Sequence, residues 1–123
     1  MHKEISNAEL LILEYLWEKG TPATFSEIMA YFHEKKNKSW KKQTVNTFLA
    51  RLVQKEFLVA DKTSHRASYS PALTSEEFYQ NYTYRILNTS FDGSLKNFIC
   101  AFTGKQKLSE KEKKELLDYI ERL

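Results

Sequence analysis

The sequence predicts a mostly α-helical fold with one small β-hairpin, divided into an N-terminal part over residues 1–73 and a helical C-terminal part over residues 74–123. Three observations lead to this prediction. Three amphipathic helical segments and then a hairpin pattern follow one another within roughly 70 residues. Helical periodicity returns after the hairpin. Positive charge is concentrated around the third helical segment.

The composition of the chain excludes several classes of protein. Its 123 residues have room for one compact domain or two small lobes, and 41% hydrophobic residues supply a core. Since no stretch reaches the ~18–20 apolar residues of a membrane span and the start lacks a signal-peptide pattern, we expect a cytoplasmic protein without direct membrane binding. One cysteine, three histidines and three glycines argue against metal, nucleotide-loop and catalytic-triad chemistry. We therefore expect no catalytic residue, no metal site and no cofactor.

The first helix is predicted over Asn7–Lys19. Ser6 and Glu9 form a capping box at its start, and Gly20 ends it. Apolar residues recur at the spacing of one helix face, namely Ala8, Leu11, Ile12, Tyr15 and Leu16.

The second and third helices follow the same logic. Thr24 and Glu27 form a capping box before a segment whose apolar residues are Phe25, Ile28, Met29 and Phe32. The polar stretch Glu34–Ser39 is predicted to be a loop. A third helix is predicted over about residues 41–54, with an inner face of Val45, Phe48, Leu49 and Leu52.

Residues 57–71 predict a β-hairpin. Phe57–Asp61 and Ala67–Pro71 mix aromatic and aliphatic residues, and the polar segment Lys62–His65 separates them. Three helices followed by a hairpin is the order of a winged helix-turn-helix, in which the third helix enters the major groove of DNA. An ordinary α+β core domain shares this order, so the order alone leaves both interpretations open.

The C-terminal part is predicted to be a helical dimerisation lobe. Thr74 with Glu77, and Ser109 with Glu112, form capping boxes, and Asp92-Gly93 interrupts the helical pattern between them. The lobe is shorter than the ~70–80 residues that small scaffolds need to enclose a core. A second copy is the economical partner. We expect the dimer contacts to be Phe78, Tyr82, Ile86, Leu95, Phe98, Ile99, Phe102, Leu116, Leu117 and Ile120.

The charge of the chain is unevenly distributed. Residues 35–66 carry a net charge of +7, whereas residues 1–34 carry −4 and residues 67–123 are neutral. A local basic patch suits a polyanion whose phosphates it neutralises. A solvated loop is the alternative for its lysines. The predicted phosphate contacts are Lys38, Lys41, Lys42, Arg51, Lys62, His65 and Arg66.

The third helix is expected to turn an uncharged polar face outward, with Gln43, Thr47, Ala50 and Gln54 at its centre. Glutamine and asparagine pair with adenine edges, and a threonine methyl contacts thymine. An ordinary solvated surface is the alternative. The predicted base contacts are Gln43, Thr44, Asn46 and Thr47.

Two residues that stand out in the sequence, Trp40 and Cys100, are not expected to take part in chemistry. Trp40, at the start of the third helix, is expected to pack and to fix the entry of the chain. Cys100 lies off the apolar stripe of its helix, and no base stands beside it in sequence, so a small hydrolase built on Cys100 or His65 is disfavoured.

Several strings of the chain resemble the penicillinase repressor family. The most specific is the pattern Thr44-Val45-x-Thr47-x-Leu49-x-Arg51-Leu52, within the longer match from Trp40 to Leu52. Further matches are Ile5–Glu9, Leu16–Lys19, Tyr69–Pro71, Gly93–Leu95 and Leu108-Ser109. The resemblance implies a homodimeric winged-helix repressor on a palindromic operator, with Gln43, Thr44 and Thr47 at positions that meet bases.

The resemblance also implies a mode of release. In the antibiotic-resistance branch, a membrane-bound sensor protease signals the β-lactam, and the repressor is cut at an Asn-Phe bond in its dimerisation lobe. Here Ala101-Phe102 stands at that place, and Asn97-Phe98 lies four residues earlier. Lys41-Lys42 replaces the usual Ser-Pro, and the lone Cys100 argues against the metal sensing of the copper-responsive branch.

The leading hypothesis is therefore a dimeric DNA-binding repressor that is not an enzyme. A protein-interaction adaptor that keeps the winged-helix scaffold without binding DNA is the alternative. The basic segment and the uncharged polar helix face favour DNA.

Overall fold

The structure is a computed structural model that describes residues 4–123. Within that range it contains six helices and three short strands. Their order is α1 (Asn7–Lys19), β1 (Ala23–Thr24), α2 (Phe25–Glu34), α3 (Lys42–Gln54), β2 (Leu58–Asp61), β3 (Ser68–Pro71), α4 (Ser75–Ser90), α5 (Leu95–Lys105) and α6 (Glu110–Glu121). The prediction of a mostly α-helical fold with a small hairpin is confirmed.

Capping boxes start the helices where the sequence predicts them. The Ser6 amide donates to Glu9 Oε1 at 2.9 Å, and the Glu9 amide donates to Ser6 Oγ at 3.1 Å. The same reciprocal pairs start α2, α4 and α6, through Thr24 with Glu27, Thr74 with Glu77, and Ser109 with Glu112. Each box satisfies main-chain groups that a helix start leaves without intrahelical partners.

The three strands form one antiparallel sheet in the order β1-β3-β2. The predicted hairpin is β2 with β3, in which Val59 pairs with Ser70 and Asp61 with Ser68. β1, which no sequence pattern predicts, pairs Ala23 with Tyr69 on the other side of β3. A strand of two residues is too short to show the alternation by which strands are recognised.

The chain divides into two compact units, one that ends at Asn81 and one that comprises Tyr82–Leu123. We call them the N-terminal unit and the C-terminal unit. The division falls eight residues after the predicted boundary at residue 73, because the first turns of α4 pack onto the N-terminal unit. The indole of Trp17 donates to the main-chain oxygen of Leu73 at 2.9 Å, and the hydroxyl of Tyr79 donates to Glu14 Oε2 at 2.8 Å.

Phe78 is a core residue of the N-terminal unit, which corrects its predicted role as a dimer contact. Its side chain is 3% exposed. Its ring centroid lies 5.5 Å from that of Trp17 and 5.6 Å from that of Phe57. A side chain that is 3% exposed in one copy has almost no surface left for a second copy.

One face of each helix in the N-terminal unit packs into its core. Its buried hydrophobic residues are Ile12, Leu13, Leu16, Ala23, Ile28, Phe32, Val45, Leu49, Leu52, Leu58 and Phe78. The buried face of α1 is rotated from the predicted one, because Glu9 and Leu13 are buried while Ala8, Leu11 and Tyr15 are half-buried. In the C-terminal unit, all of which the structure describes, no residue is buried.

No helix among residues 4–123 is both long and apolar enough to cross a membrane.

Candidate nucleic-acid interface

The outer face of α3 is exposed as predicted. Gln43, Thr47, Ala50 and Gln54 are all exposed, and so are Asn46 and Arg51 at the flanks. Thr44 is half-buried. The opposite face holds the helix against the core through Val45, Leu49 and Leu52, which are buried. Packing on one side therefore leaves the polar side facing solvent.

Thr47 makes a hydrogen bond within this outer face. Its Oγ1 hydroxyl donates to the main-chain oxygen of Gln43, one turn earlier, at 2.9 Å. This bond uses the only proton of the hydroxyl. The amide group of the Gln43 side chain stays available for two simultaneous hydrogen bonds to one partner.

The start of α3 is held by aromatic packing. The ring centroid of Trp40 lies 4.9 Å from that of Phe32 and 5.3 Å from that of Phe48. The packing role predicted for Trp40 is confirmed. Lys38 Nζ lies 6.0 Å from the centroid of the Trp40 ring, within the range of a cation–π contact.

The first turn of α3 combines open amide groups with positive charge. Lys41 occupies the N-cap position, and its side chain makes no capping hydrogen bond. Lys38, Lys41 and Lys42 are exposed. Amide groups at a helix start and neighbouring ammonium groups both attract anions, so this end of α3 is suited to a phosphate group.

The hairpin that follows α3 has an ordered tip. Asp61 accepts hydrogen bonds from the Thr63 amide at 3.0 Å and from the Thr63 hydroxyl at 2.7 Å. These bonds lower the pKa of the Asp61 carboxyl. The hydroxyl of Ser64 donates to the main-chain oxygen of Arg66 at 2.8 Å. The three predicted phosphate contacts of this tip, Lys62, His65 and Arg66, are exposed.

A tight connection links α3 to this hairpin. Glu56 has a φ of 68°, in the left-handed region. The Phe57 amide donates to the main-chain oxygen of Leu52 at 2.9 Å. The hairpin thus starts close to the carboxyl end of α3, and both belong to the N-terminal unit.

An ion pair with a buried carboxylate holds the carboxyl end of α3, and no local sequence pattern predicts it. Glu9 is 1% exposed, and Lys55 Nζ donates to Glu9 Oε1 at 2.9 Å. Burial raises the pKa of Glu9, but the bonds from the Ser6 amide and the Lys55 ammonium outweigh it, so the pKa lies below its usual value. The pair joins the first turn of α1 to Lys55, the residue directly after the end of α3.

The C-terminal unit exposes most of its apolar residues. Leu95, Phe98, Phe102, Leu116, Leu117 and Ile120 are between 37% and 58% exposed, and Tyr82, Ile86 and Ile99 are half-buried. Large exposed apolar patches often mark interaction sites, so these residues are candidates for one.

The described residues contain no group of three or more His, Cys, Asp or Glu side chains that could hold a metal ion. Cys100 is exposed.

Comparison with known proteins gives a consistent family. A family model described as "Penicillinase repressor" matches residues 5–122. The penicillinase repressor of Bacillus licheniformis is 26% identical over 118 residues, which cover 96% of this chain and 90% of the relative. That of Staphylococcus aureus is 27% identical over 117 residues, which cover 95% and 90%. The methicillin resistance regulatory protein MecI of Staphylococcus aureus is 24% identical, with 95% and 93% covered.

Solved structures agree with the fold of the N-terminal unit. The solution structure of the DNA binding domain of the repressor BlaI has a TM-score of 0.52 and 28% identity, and the match covers 63% of this chain and 93% of that one. The Bacillus licheniformis BlaI monomeric form in complex with the blaP half-operator has a TM-score of 0.51 and 24% identity, with 61% and 88% covered. The winged-helix fold predicted from the sequence is confirmed.

Two of these relatives are named as repressors, and the third is named as a regulatory protein. The family model extends over both units, from α1 to the end of α6. The chain therefore belongs to the penicillinase repressor family.

Proposed function

We propose that this chain is a dimeric, sequence-specific repressor that places α3 in the major groove of a palindromic operator. The observation that carries the proposal is the outer face of α3, which is exposed, polar and uncharged at its centre, and basic at its amino end. Family membership and the likeness to a DNA binding domain support it.

The proposed base contacts are Gln43, Thr44, Asn46 and Thr47. Glutamine and asparagine amides offer a donor and an acceptor side by side, which match the N7 and N6 groups of adenine in the major groove. Gln43, Asn46 and Thr47 are exposed. Thr44 is half-buried and stands at the edge of the face, so we propose a smaller share of the contact for it.

The proposed phosphate contacts come from three segments of the N-terminal unit. Lys38, Lys41 and Lys42 lie at the amino end of α3, and Arg51 lies on its flank. Lys62, His65 and Arg66 form the tip of the hairpin. Contacts with the phosphates set the register of the protein on the duplex and contribute most of the salt dependence of binding.

The proposed dimer forms through the C-terminal unit, where a second copy covers the exposed apolar residues of α5 and α6. Burying such side chains contributes about 1.5–3 kcal/mol each. One solved relative was studied as a monomer on a half-operator, which supports one copy for each half-site. Sedimentation at micromolar concentration should report about twice 14.5 kDa, and a monomer would contradict the dimer.

Release from the operator is proposed to follow the family resemblance, by proteolysis within the C-terminal unit under the control of a membrane-bound sensor protease. A repressor acts where the chromosome is, so we propose that the protein works in the cytoplasm. Loss of α6 would remove Leu116, Leu117 and Ile120 from the dimer without touching α3.

Selection from a pool of random duplexes tests the whole proposal. The enriched sequences should contain a motif with two-fold symmetry, because two copies of α3 related by a dimer axis meet two half-sites. A variant with Gln43→Ala and Thr47→Ala serves as the control and should enrich no such motif. If the unsubstituted protein enriched no sequence, the adaptor hypothesis would replace the proposal.

A further inference from the structure

We propose that Thr47 selects a thymine in each half-site through its methyl group, and not through its hydroxyl. This inference rests on the proposed function, because it specifies the chemistry of one of the proposed base contacts. The outer face of α3 offers two kinds of group to a base edge, namely hydrogen-bonding groups and methyl groups. The structure separates the two at Thr47.

The hydroxyl of Thr47 is already engaged. Its Oγ1 donates to the main-chain oxygen of Gln43 at 2.9 Å, which holds this oxygen close to the backbone of the preceding turn. Threonine in a helix commonly adopts such a rotamer, and the bond restricts the rotation of the side chain. Since the oxygen has given its proton to the helix, Thr47 has no donor left for a base acceptor. The oxygen can still accept a hydrogen bond, but the apolar group that the exposed residue Thr47 offers to a base edge is its methyl group.

The neighbourhood of this methyl group is suited to an apolar contact. Ala50 lies three residues later on the same face and is also exposed, so its Cβ adds a second methyl group beside that of Thr47. Neither side chain carries a charge that would hold water tightly. Among the bases, only thymine presents a methyl group in the major groove, and alanine and threonine methyl groups are its usual apolar partners.

The proposal distinguishes two conservative variants of Thr47. Thr47→Val keeps the methyl group and the β-branched shape but removes the hydroxyl, so it should keep the preference for thymine. Thr47→Ser keeps the hydroxyl and its bond to Gln43 but removes the methyl group, so it should lose the preference. Both substitutions are small changes at an exposed position, and thermal unfolding shows whether each variant is folded.

Uracil provides the matching change in the DNA, because it differs from thymine only by the missing methyl group. The probe is the duplex that binds most tightly in the random-pool selection. Deoxyuridine replaces one thymine position at a time, at the equivalent place in both half-sites. For the unsubstituted protein and for Thr47→Val, one position in each half-site should lose affinity roughly fourfold per half-site, or about 15-fold for the pair, as expected for one buried methyl group. Thr47→Ser should bind the thymine and uracil duplexes equally at that position.

A second threonine serves as the control for losing or keeping a hydrogen bond from a threonine hydroxyl to the main chain of its own helix. Thr89 in α4 is exposed and donates from Oγ1 to the main-chain oxygen of Arg85 at 2.8 Å, which is the same bond outside α3. Thr89→Val and Thr89→Ser should leave the response to uracil unchanged.

The outcomes separate this inference from the proposed function. If the protein binds the selected duplex but no thymine-to-uracil change matters, or if Thr47→Ser responds as the unsubstituted protein does, the methyl contact is wrong and the repressor proposal stands. If Thr47→Val loses the preference and Thr47→Ser keeps it, the hydroxyl is the selecting group and the inference is overturned. Failure to obtain any selected duplex would instead count against the proposed function.

Discussion

Gln43 and Lys42 are adjacent in α3, yet the proposal gives them different tasks. Gln43→Ala should cost about 1–3 kcal/mol at the preferred site and relax the choice of base there, because it removes a base contact. Lys42→Ala should weaken binding to all sequences alike and lower the steepness of the salt dependence by roughly one ion per half-site. Titrations of a selected and a scrambled duplex over a series of salt concentrations measure both effects. If neither variant changed affinity or salt dependence, α3 would not be the element that binds DNA.

Glu9 couples the stability of the fold to pH. Its pKa is lowered in the folded chain, so the folded state favours the carboxylate more strongly than the unfolded state does. The stabilisation is therefore complete above the unfolded pKa, near 4.5, and is lost as the pH falls through the folded pKa. Glu9→Gln should lower the free energy of unfolding by about 1–3 kcal/mol at neutral pH, since it replaces a charge-assisted hydrogen bond. The difference should shrink in acid.

Glu27 provides the matched control for Glu9. It stands in the same kind of capping box and pairs with Lys19 at 3.5 Å, but its side chain is 47% exposed. Solvent screens such a pair, so Glu27→Gln should destabilise the fold less than Glu9→Gln. Equal losses in urea unfolding would show that the pair with Lys55 adds nothing to the capping box.

Of the two contacts that Glu9 makes, with Ser6 and with Lys55, only one could be predicted from the sequence. Ser6 and Glu9 are three residues apart, so their capping box could be predicted. Lys55 is 46 residues from Glu9, and no local pattern links the two. The exposed face of α3 could be predicted because it follows from local helical periodicity. The ion pair at the carboxyl end of α3 could not, because its partners are distant in sequence.

At the scale of elements, the role of Phe78 in α4 differs from the predicted one, and the difference can be tested. Phe78 was predicted to be a dimer contact but lies in the core of the N-terminal unit, against Trp17 and Phe57. Phe78→Ala should lower the free energy of unfolding by about 3–5 kcal/mol, the usual cost of removing a buried phenylalanine. Phe102→Ala should instead raise the dissociation constant of the dimer, because Phe102 is 49% exposed. A weakened dimer with unchanged unfolding for Phe78→Ala would restore the original prediction.

The helices were easier to predict than the strands. Four of them start at capping boxes that stand in the sequence as Ser or Thr followed three residues later by Glu. β1 has only two residues, and it exists because Ala23 and Thr24 meet Tyr69 and Ser68 of β3. Such a strand depends on a partner 44 or more residues away, so only the tertiary structure reveals it.

At the scale of the whole molecule, the proposal assigns DNA binding to the N-terminal unit and dimerisation to the C-terminal unit. The N-terminal unit has a buried core and carries the proposed DNA contacts, whereas no residue of the C-terminal unit is buried. Two half-sites held by one linked molecule gain roughly 10²–10⁴ in avidity over separate heads. Under the proposed function, operator occupancy should therefore depend on the C-terminal unit even though this unit contains none of the proposed DNA contacts.

Proteolytic release should be inefficient in this chain, if the protease requires an Asn-Phe bond as the family resemblance implies. Ala101-Phe102 and Asn97-Phe98 both lie within α5, and only the second has the required residues. A cut at either bond would detach α6 and so weaken the proposed dimer. Mass spectrometry of the repressor after β-lactam challenge of the native host should find the chain intact or cut at Asn97-Phe98, and Ala101→Asn should increase cutting before Phe102. Efficient cleavage at Ala101-Phe102 would refute the specificity argument, whereas derepression with an intact chain would indicate a different inducer that acts on the C-terminal unit.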